Sequence, residues 1–232
     1  MKLLIDADIL AYHAAYSKEG NTISGAIDKV DELMEKIFWD CQRYNQKRDY
    51  SAYLTGKGNF RNQISDVYKA NRPTEKPQTL KLIKNWLVDK YNAVVVEGQE
   101  ADDAIAIEAT KLGYDEVIIV SVDKDFKQLP CMIFNYRKGT FFKADELGSQ
   151  YNFWTQVLTG DTVDNIKGIY GIGPAKAMKI LEGSVTNQEM YQAVLKAYGG
   201  NKESLTKTAQ LVYLRRKEGE MWQPPVKENL ND

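Results

Sequence analysis

Acidic side chains are concentrated at three places in the sequence, each directly after an apolar or β-branched stretch. These residues are Asp6 and Asp8, then Glu100, Asp102 and Asp103, and then Asp123 and Asp125. Gathered carboxylates repel one another, and they stay ionised together only if a positive charge lies among them. Since no histidine or cysteine accompanies them, their oxygens favour a hard cation, Mg²⁺ or Mn²⁺. The alternative is that each carboxylate caps a helix or forms a surface ion pair.

A fourth acidic group, Asp161 and Asp164 within residues 160–165, leads into the glycine-rich stretch 168–177. A Gly-Ile-Gly turn before a helix that starts with proline brings backbone N–H groups close to a phosphate. Such a turn contacts the DNA backbone without reading bases. The residues predicted to bind DNA in this way are Lys167, Gly171, Ile172, Gly173 and Lys176.

The elements that must position these residues follow from the hydropathy pattern. Apolar or β-branched runs predict buried parallel strands over residues 2–5, 51–55, 93–97 and 116–121. Amphipathic patterns between them predict helices over residues 23–41, 80–87 and 101–112. This alternation predicts an α/β fold with a doubly wound, mainly parallel sheet. Because ligands of such sheets bind outside the carboxyl ends of the strands, we expect the three acidic groups at one edge.

Residues 56–77 fit neither pattern and predict a basic loop, with a short helix near residues 65–70. Its cations are Lys57, Arg61, Lys69, Arg72 and Lys76. Beyond about residue 150 we expect the strands to stop and the chain to continue as helices with Gly-rich turns. The sequence therefore predicts an α/β, metal-binding core over residues 1–150 and a helical DNA-binding region over residues 151–232.

Two features near the end of the chain carry predictions of their own. Residues 205–217 predict a helix that ends in Arg215, Arg216 and Lys217, whose charges suit the negative end of the helix dipole. A DNA contact by these three cations is the alternative. Residues 224–232 predict a frayed tail.

The net charge of −1 argues at first sight against a nucleic-acid partner. Without the nine acids named above, however, 31 basic and 23 acidic residues leave a charge of +8, which suits a polyanion. No apolar run approaches the roughly 20 residues of a membrane helix. Asp6 and Asp8 interrupt the apolar start too early for a signal peptide. With Cys41 and Cys131 as its two cysteines, the sequence predicts a cytoplasmic protein with free thiols.

Five segments resemble the structure-specific 5′ nucleases, a superfamily of flap endonucleases, bacteriophage 5′→3′ exonucleases and the 5′ nuclease domain of bacterial DNA polymerase. They are residues 5–8, 68–73, 100–103, 121–126 and 160–176, in the family order. The resemblance covers roughly residues 2–182 and is strongest to the phage exonucleases. It implies a PIN-like core that hydrolyses DNA, followed by a helix–three-turn–helix module that binds duplex DNA.

The resemblance also implies two or more Mg²⁺ or Mn²⁺ ions. The implied ligands of one ion are Asp6, Glu100 and Asp102. The implied ligands of a second ion are Asp102, Asp123, Asp125 and Asp161. The carboxylates implied to act mainly through water are Asp8, Asp103 and Asp164. Lys69 and Arg72 would contact the scissile phosphate, and carbonyls of the Gly-rich turn would bind K⁺.

The partner implied by the resemblance is DNA that is branched, flapped, nicked or has a free 5′ end, with an RNA–DNA hybrid as a further candidate. We expect a monomer that works in phage DNA replication or repair, in the host cytoplasm if it is phage-encoded.

The sequence departs from the family at Gly56, where many members carry another metal-site aspartate. Either a water fills that coordination position or the first metal site is weakened. Two rival functions therefore stay open. A phosphatase of the haloacid dehalogenase type fits Asp6-Ala7-Asp8, but residues 160–164 fall one residue short of its second motif. A DNA-binding protein with a degenerate site fits Gly56 but leaves the other acids unexplained.

Overall fold

The computed structural model describes residues 1–73 and 75–225, and its centre is one six-stranded sheet. The strands are β1 (Lys2–Asp6), β2 (Tyr50–Thr55), β3 (Val94–Val96), β4 (Val117–Val120), β5 (Met132–Asn135) and β6 (Thr140–Lys143). Their order is β3-β2-β1-β4-β5-β6, and all neighbours are parallel except β5 and β6. The four predicted strands and the mainly parallel α/β fold are confirmed.

Helices cover both faces of this sheet. The α-helices of the described residues, which include those beyond the sheet, are α1 (Ala7–Ala15), α2 (Ile23–Asp40), α3 (Arg61–Ile64), α4 (Leu80–Tyr91), α5 (Ala101–Leu112), α6 (Glu146–Thr159), α7 (Pro174–Leu181), α8 (Asn187–Ala197) and α9 (Lys202–Val212). Leu3 and Ile5 of β1 pack with α1, α2 and α4, whereas Leu4 packs with α5 on the other face. Because side chains alternate along a strand, β1 needs an apolar residue at each of these positions.

The chain after β6 builds a second apolar core. Trp154, Leu158, Met190 and Leu205 are fully buried there, and Tyr68 from the loop before α4 packs against them. Helix α6 runs across the boundary predicted at residue 150, so the two regions share a continuous helix. The division into residues 1–150 and 151–232 stays a prediction.

Two strand pairs lie outside the predicted elements. The first is the β5–β6 hairpin, in which β6 exposes all four residues and so shows no alternation of hydropathy. The second joins β7 (Gly160–Asp161) and β8 (Ile166–Lys167), which pair antiparallel. The expectation that strands stop at residue 150 is therefore wrong, because two-residue strands carry no periodicity that a sequence pattern can show.

Two helix boundaries differ from the prediction. The short helix in the basic loop is α3, not residues 65–70, because Ser65 is extended and ends it. Helix α9 ends at Val212 because Tyr213 is extended, so the three cations at 215–217 lie beyond the helix and the dipole interpretation is wrong. Arg215 instead packs its guanidinium 3.5 Å from the ring centre of Phe60. Of the predicted tail, residues 226–232 lie outside the described residues.

In the described part of the chain, no helix is both long enough and apolar enough to span a membrane.

Candidate active site

The carboxyl ends of β1 and β4 bring the first and third acidic groups together. Asp6 ends β1 and caps α1 by accepting a hydrogen bond from the Ile9 amide at 3.2 Å. Its other oxygen accepts a hydrogen bond of 2.8 Å from Ser121 Oγ, directly after β4. The same Oγ accepts a hydrogen bond from the Asp123 amide at 3.0 Å. Ser121 therefore links the two groups, a role that no sequence signal indicated.

The start of α5 brings the second acidic group to the same place. Glu100 is the N-cap of α5 and Asp102 lies in its first turn. Both line a cavity of about 580 Å³ at the carboxyl edge of the sheet. The charged residues that line this cavity are Asp6, Asp8, Glu100, Asp102, Asp123, Asp164, Lys69, Arg72, Lys76 and Lys84. The structure thus brings together acids that follow three strands and basic residues from α4 and the loop before it.

Asp125 and Asp161 lie beside the cavity and not in its lining. The Asp125 amide donates a 2.9 Å hydrogen bond to Asp123 Oδ1, and the Asp125 carboxylate accepts one from the Gln156 side chain. Asp161 forms an ion pair of 2.8 Å with Lys124. Asp123 therefore lies between the cavity and this neighbouring pair of acids.

Burial and mutual repulsion disfavour the charged forms of the inner carboxyl groups. Burial is the largest cause for each, and it raises the pKa of Asp6 to about 7. The pKa of Asp102 lies well above its usual value because burial adds to repulsion from Asp6, Asp123 and Glu100. Burial also raises the pKa of Asp123, and burial with the charge of Asp123 raises the pKa of Asp125 to about 7. A cation among these groups would relieve the repulsion.

Basic side chains neutralise the outer carboxylates. Lys69 forms an ion pair with Glu100 and lies 3.5 Å from Asp164 Oδ2, and Arg72 pairs with the other oxygen of Asp164. Burial alone would raise the pKa of Glu100, but the charges of Lys69 and Arg61 lower it below its usual value. The two predicted catalytic cations thus lie at the cavity, each held by a carboxylate.

Two further side chains, Lys84 and Tyr68, contact the acids of the site, and sequence reasoning did not indicate either contact. Lys84 of α4 pairs with Asp8, whose other oxygen accepts a 2.7 Å hydrogen bond from the Thr55 amide. Tyr68 donates a 2.8 Å hydrogen bond to Glu100. A lysine on a helix and a tyrosine in a loop are common surface residues, and only the fold shows what they contact.

The donor set fits a hard divalent cation. Within residues 1–73 and 75–225, no three His, Cys, Asp or Glu side chains are arranged as a finished metal-binding shell. Asp6, Asp102 and Asp123 nevertheless line one cavity and repel one another, whereas the lysines pair with the outer acids. Carboxylate oxygens alone are the ligands that Mg²⁺ and Mn²⁺ prefer.

Asp103 lies away from the cavity, in an internal ion pair. Its carboxylate is 0% exposed and accepts two hydrogen bonds from the Arg61 guanidinium, at 2.6 and 2.9 Å. It also accepts a 3.2 Å hydrogen bond from the Glu100 amide, which closes the capping box of α5. Asp103 was expected to contact a metal ion through water, and Arg61 to be a cation of the basic loop. The structure instead places them in a buried ion pair that anchors the start of α5.

Gly56 has no room for a side chain in this conformation. A Cβ there would lie 2.6 Å from Glu97 Oε1 and 2.7 Å from the Val96 carbonyl oxygen. Glu97 is itself fixed by a 2.6 Å hydrogen bond from the Lys57 amide. An aspartate at position 56 would therefore require the Val96 backbone to move as well as the Glu97 side chain.

A helix begins directly after the Gly-rich turn (residues 168–173), as predicted. Gly173 is the N-cap of α7 and Pro174 its first residue, and the space beside the Gly173 Cα is open. Lys176 donates a 2.8 Å hydrogen bond to the Gly171 carbonyl, and Lys167 is exposed. Ile172 instead packs against the second core. The turn thus presents backbone and lysines to solvent and uses its isoleucine for packing.

Known proteins share this sequence pattern. The family model described as "5'-3' exonuclease, N-terminal resolvase-like domain" matches residues 1–152. The thermostable DNA polymerase I of Thermus thermophilus is 31% identical over 205 residues, which cover 80% of this chain and 24% of the polymerase. Flap endonuclease Xni of Shewanella sediminis is 30% identical over 184 residues, 73% of this chain and 70% of that protein. The chain spans about a quarter of the length of the polymerases that it matches.

The fold is also shared with a solved structure. The bacteriophage T5 D15 flap endonuclease, in a complex with DNA and metal ions, has a TM-score of 0.67 at 16% identity. The match covers 91% of this chain and 88% of that chain. At this identity, the likeness shows the fold alone.

Proposed function

Because the chain belongs to the 5′-3′ exonuclease family, we propose that it hydrolyses phosphodiester bonds in DNA with the help of divalent metal ions. The observation that carries the proposal is the cavity that Asp6, Asp102 and Asp123 share with Lys69 and Arg72. The three carboxylates can hold cations, and the two basic side chains can bind a phosphate. A site with both properties suits attack on a polyanion.

We assign the carboxylates to two Mg²⁺ or Mn²⁺ ions. The ligands are Asp6, Glu100 and Asp102 for one ion, Asp102, Asp123, Asp125 and Asp161 for the other, and Asp8 and Asp164 through water. Two bound ions would activate a water and stabilise the leaving oxygen of the phosphodiester. Lys69 and Arg72 bind the scissile phosphate and stabilise the charge that develops on its oxygens.

The substrate that we propose is duplex DNA with a single-stranded or free 5′ end, as in a flap or a nick. The Gly-rich turn would hold the duplex by its phosphates, and the basic side chains of the loop before α4 would hold the strand at the cavity. We extend the proposal to RNA–DNA hybrids, to K⁺ bound by carbonyls of the Gly-rich turn, and to a monomer that acts in replication or repair.

The two rival functions explain fewer observations. A haloacid dehalogenase-type phosphatase would explain Asp6 and Asp8, but it gives no role to Glu100, Asp102 and Asp123, which line the same cavity. A DNA-binding protein without activity would not explain why the mutually repelling carboxylates of Asp102 and Asp123 are placed together at one cavity.

One assay separates the three functions. Product release is measured from a flap labelled at its 5′ end, from single-stranded DNA and from a phosphate-ester dye, each with Mg²⁺, Mn²⁺ or EDTA. We expect cleavage of DNA only with a divalent metal, and no dye hydrolysis. Full DNA cleavage in EDTA would contradict the metal mechanism, dye hydrolysis alone would support the phosphatase, and binding without cleavage would support the DNA-binding protein.

Lys69→Ala should slow the chemical step more than it weakens binding. A cation aimed at the phosphate stabilises the transition state by about 3 kcal/mol, or roughly a hundredfold in rate. We expect the single-turnover rate at saturating DNA to fall by at least about tenfold, with Kd changed by less than about threefold. The control is Lys36→Ala, which removes a lysine paired with Asp40 on α2. A rate equal to wild type would move the electrophilic role to Arg72 or Lys124.

Gly173→Val should weaken DNA binding without unfolding the protein. The space beside Gly173 is open, so valine fits the fold but covers the backbone N–H groups at the start of α7. We expect Kd for duplex DNA to rise by about tenfold regardless of base sequence, since phosphates are contacted.

Lys176→Ala should lower the slope of log K against log salt by about 1, whereas Lys111→Ala, at the far end of α5, should not change it. Unchanged affinity and slope in folded variants would contradict the assignment.

A further inference from the structure

Two chain segments meet beside the cavity through hydrogen bonds to main-chain carbonyls. We call residues 67–71 the Lys69 segment and residues 162–165 the Asp164 segment. The Lys69 amide donates to the Asp164 carbonyl at 2.9 Å. Asn71 Nδ2 donates to the Thr162 carbonyl at 2.9 Å, and Asn165 Nδ2 donates to the Val67 carbonyl at 2.7 Å. These bonds fix one backbone against the other, which the ion pairs of flexible lysine and arginine side chains do not.

The backbone at the centre of this contact is in an unfavourable conformation. Lys69 has φ +56 and Asn165 has φ +56, both in the left-handed region. Asparagine tolerates this region, but lysine adopts it rarely because its Cβ approaches the carbonyl oxygen. Such a conformation persists only where surrounding contacts determine it. The Lys69 carbonyl accepts a local hydrogen bond from the Arg72 amide, and the contacts that hold Lys69 from outside its own turn include the hydrogen bond from its amide to the Asp164 segment.

The Asp164 segment is joined rigidly to the Gly-rich turn. It connects β7 to β8, and β8 leads directly into the turn. Gly160 and Gly168 pack so closely that a Cβ on Gly160 would lie 2.3 Å from the Gly168 amide nitrogen. A displacement of the turn therefore moves the Asp164 segment with it, and through the hydrogen bonds it moves the Lys69 segment.

We propose that Asn71 and Asn165 are positioning residues that set Lys69 and Arg72 over the cavity in register with the Gly-rich turn. This inference rests on the proposed function. The two amides donate to the Thr162 and Val67 carbonyls and not to a cavity carboxylate, so they act through the backbone of the Lys69 segment. Duplex DNA held at the turn would in this way fix the distance from the duplex to the cations that contact the scissile phosphate.

The test removes the two amides with as little strain as the structure allows. Asn165→Gly keeps a residue that adopts φ +56 freely, and Asn71→Ala removes an exposed side chain. The matched control is Asn92→Gly, which removes another left-handed asparagine at the far end of α4. In the Asn71→Ala/Asn165→Gly variant, we expect the single-turnover rate on saturating flap DNA to fall about tenfold, with Kd within about threefold and Asn92→Gly like wild type.

A double-mutant cycle distinguishes positioning from a general structural role. If the asparagines act through the two cations, the same substitutions in a Lys69→Ala/Arg72→Ala background should cause no further loss of rate. A further loss of about tenfold in that background would overturn the inference and leave the nuclease function standing. A wild-type chain that cleaves no DNA in Mg²⁺ would instead overturn the proposed function.

Amide hydrogen exchange gives a second readout that needs neither metal nor DNA. The Lys69 amide should exchange about tenfold faster in Asn71→Ala/Asn165→Gly than in wild type or Asn92→Gly, because its hydrogen bond to the Asp164 carbonyl opens more often. Unchanged protection would show that the asparagines do not hold the Lys69 segment, and would overturn the inference whatever the nuclease activity.

Discussion

Replacing Asp102 with alanine should lower DNA cleavage by at least about a thousandfold, a loss of about 4 kcal/mol of transition-state stabilisation. Asp102 is the one carboxylate assigned to both metal ions. The neighbouring carboxylates of Asp6, Asp123 and Glu100 repel its negative charge. Removing it weakens both proposed metal sites at once. Single-turnover cleavage of flap DNA at saturating Mg²⁺ measures the effect. Asp115→Ala, which removes an exposed carboxylate paired with Lys143, should leave cleavage unchanged.

The same variant should not be destabilised when metal is absent. Burial and the neighbouring carboxylates disfavour the charged form of Asp102, so its removal relieves repulsion. We expect the free energy of unfolding in EDTA to be unchanged or higher, measured by urea titration. Asp123→Ala is a less clean test, because Asp123 also accepts a hydrogen bond from the Asp125 amide. Activity close to wild type, or a metal-free stability about 2 kcal/mol lower, would contradict the role given to Asp102.

The placement of the acids could be predicted because it depends on strand ends. Apolar runs locate β1 and β4, and parallel strands deliver whatever follows them to one edge of the sheet. Asp6 and Asp123 are therefore neighbours for a reason that the sequence contains. The β5–β6 hairpin could not be predicted, since β6 is exposed along its length and gives no hydropathy pattern.

The side-chain partners could not be predicted, because they depend on contacts between residues distant in sequence. Asp102 and Asp103 are adjacent acids in one helix turn, and no local pattern distinguishes them. Helix geometry points them in different directions, so Asp102 lines the cavity and Asp103 meets Arg61 inside the protein. Arg61 is, by sequence, one cation of a basic loop. It is buried because the end of α9 and the residue that follows it cover it.

That covering segment binds Arg61 through main-chain carbonyls. Arg61 Nε donates to the Leu211 carbonyl at 2.8 Å, and Nη2 donates to the Tyr213 carbonyl at 2.7 Å. With its two hydrogen bonds to Asp103, the guanidinium joins α3, α5 and the end of α9 in one buried contact. The start of α5, which carries Glu100 and Asp102, is thereby fixed to the second core.

Arg61→Met should accordingly destabilise the protein by about 3–5 kcal/mol, since it leaves the buried Asp103 carboxylate without its partner. Arg61 is 2% exposed and Asp103 0% exposed, so water cannot replace the lost hydrogen bonds. The matched control is Arg48→Met, because Arg48 makes the same two-bond contact with Glu35 at 2.9 and 3.0 Å with both side chains 58% exposed. That exposed pair should contribute less than about 1 kcal/mol.

A second variant tests whether the unpaired charge causes the loss. Asp103→Leu in the Arg61→Met background removes the orphaned carboxylate, and we expect it to recover part of the stability, as double-mutant cycles show for residues in contact. Recovery should be incomplete, because the Leu211 and Tyr213 carbonyls and the Glu100 amide still lack partners. Urea unfolding in EDTA gives the free energy of unfolding without interference from metal binding. It is measured for wild type, Arg61→Met, Arg48→Met and Arg61→Met/Asp103→Leu. If Arg61→Met costs no more than Arg48→Met, the pair does not anchor α5, and the position of Glu100 must depend on its contacts with Lys69 and Tyr68 instead.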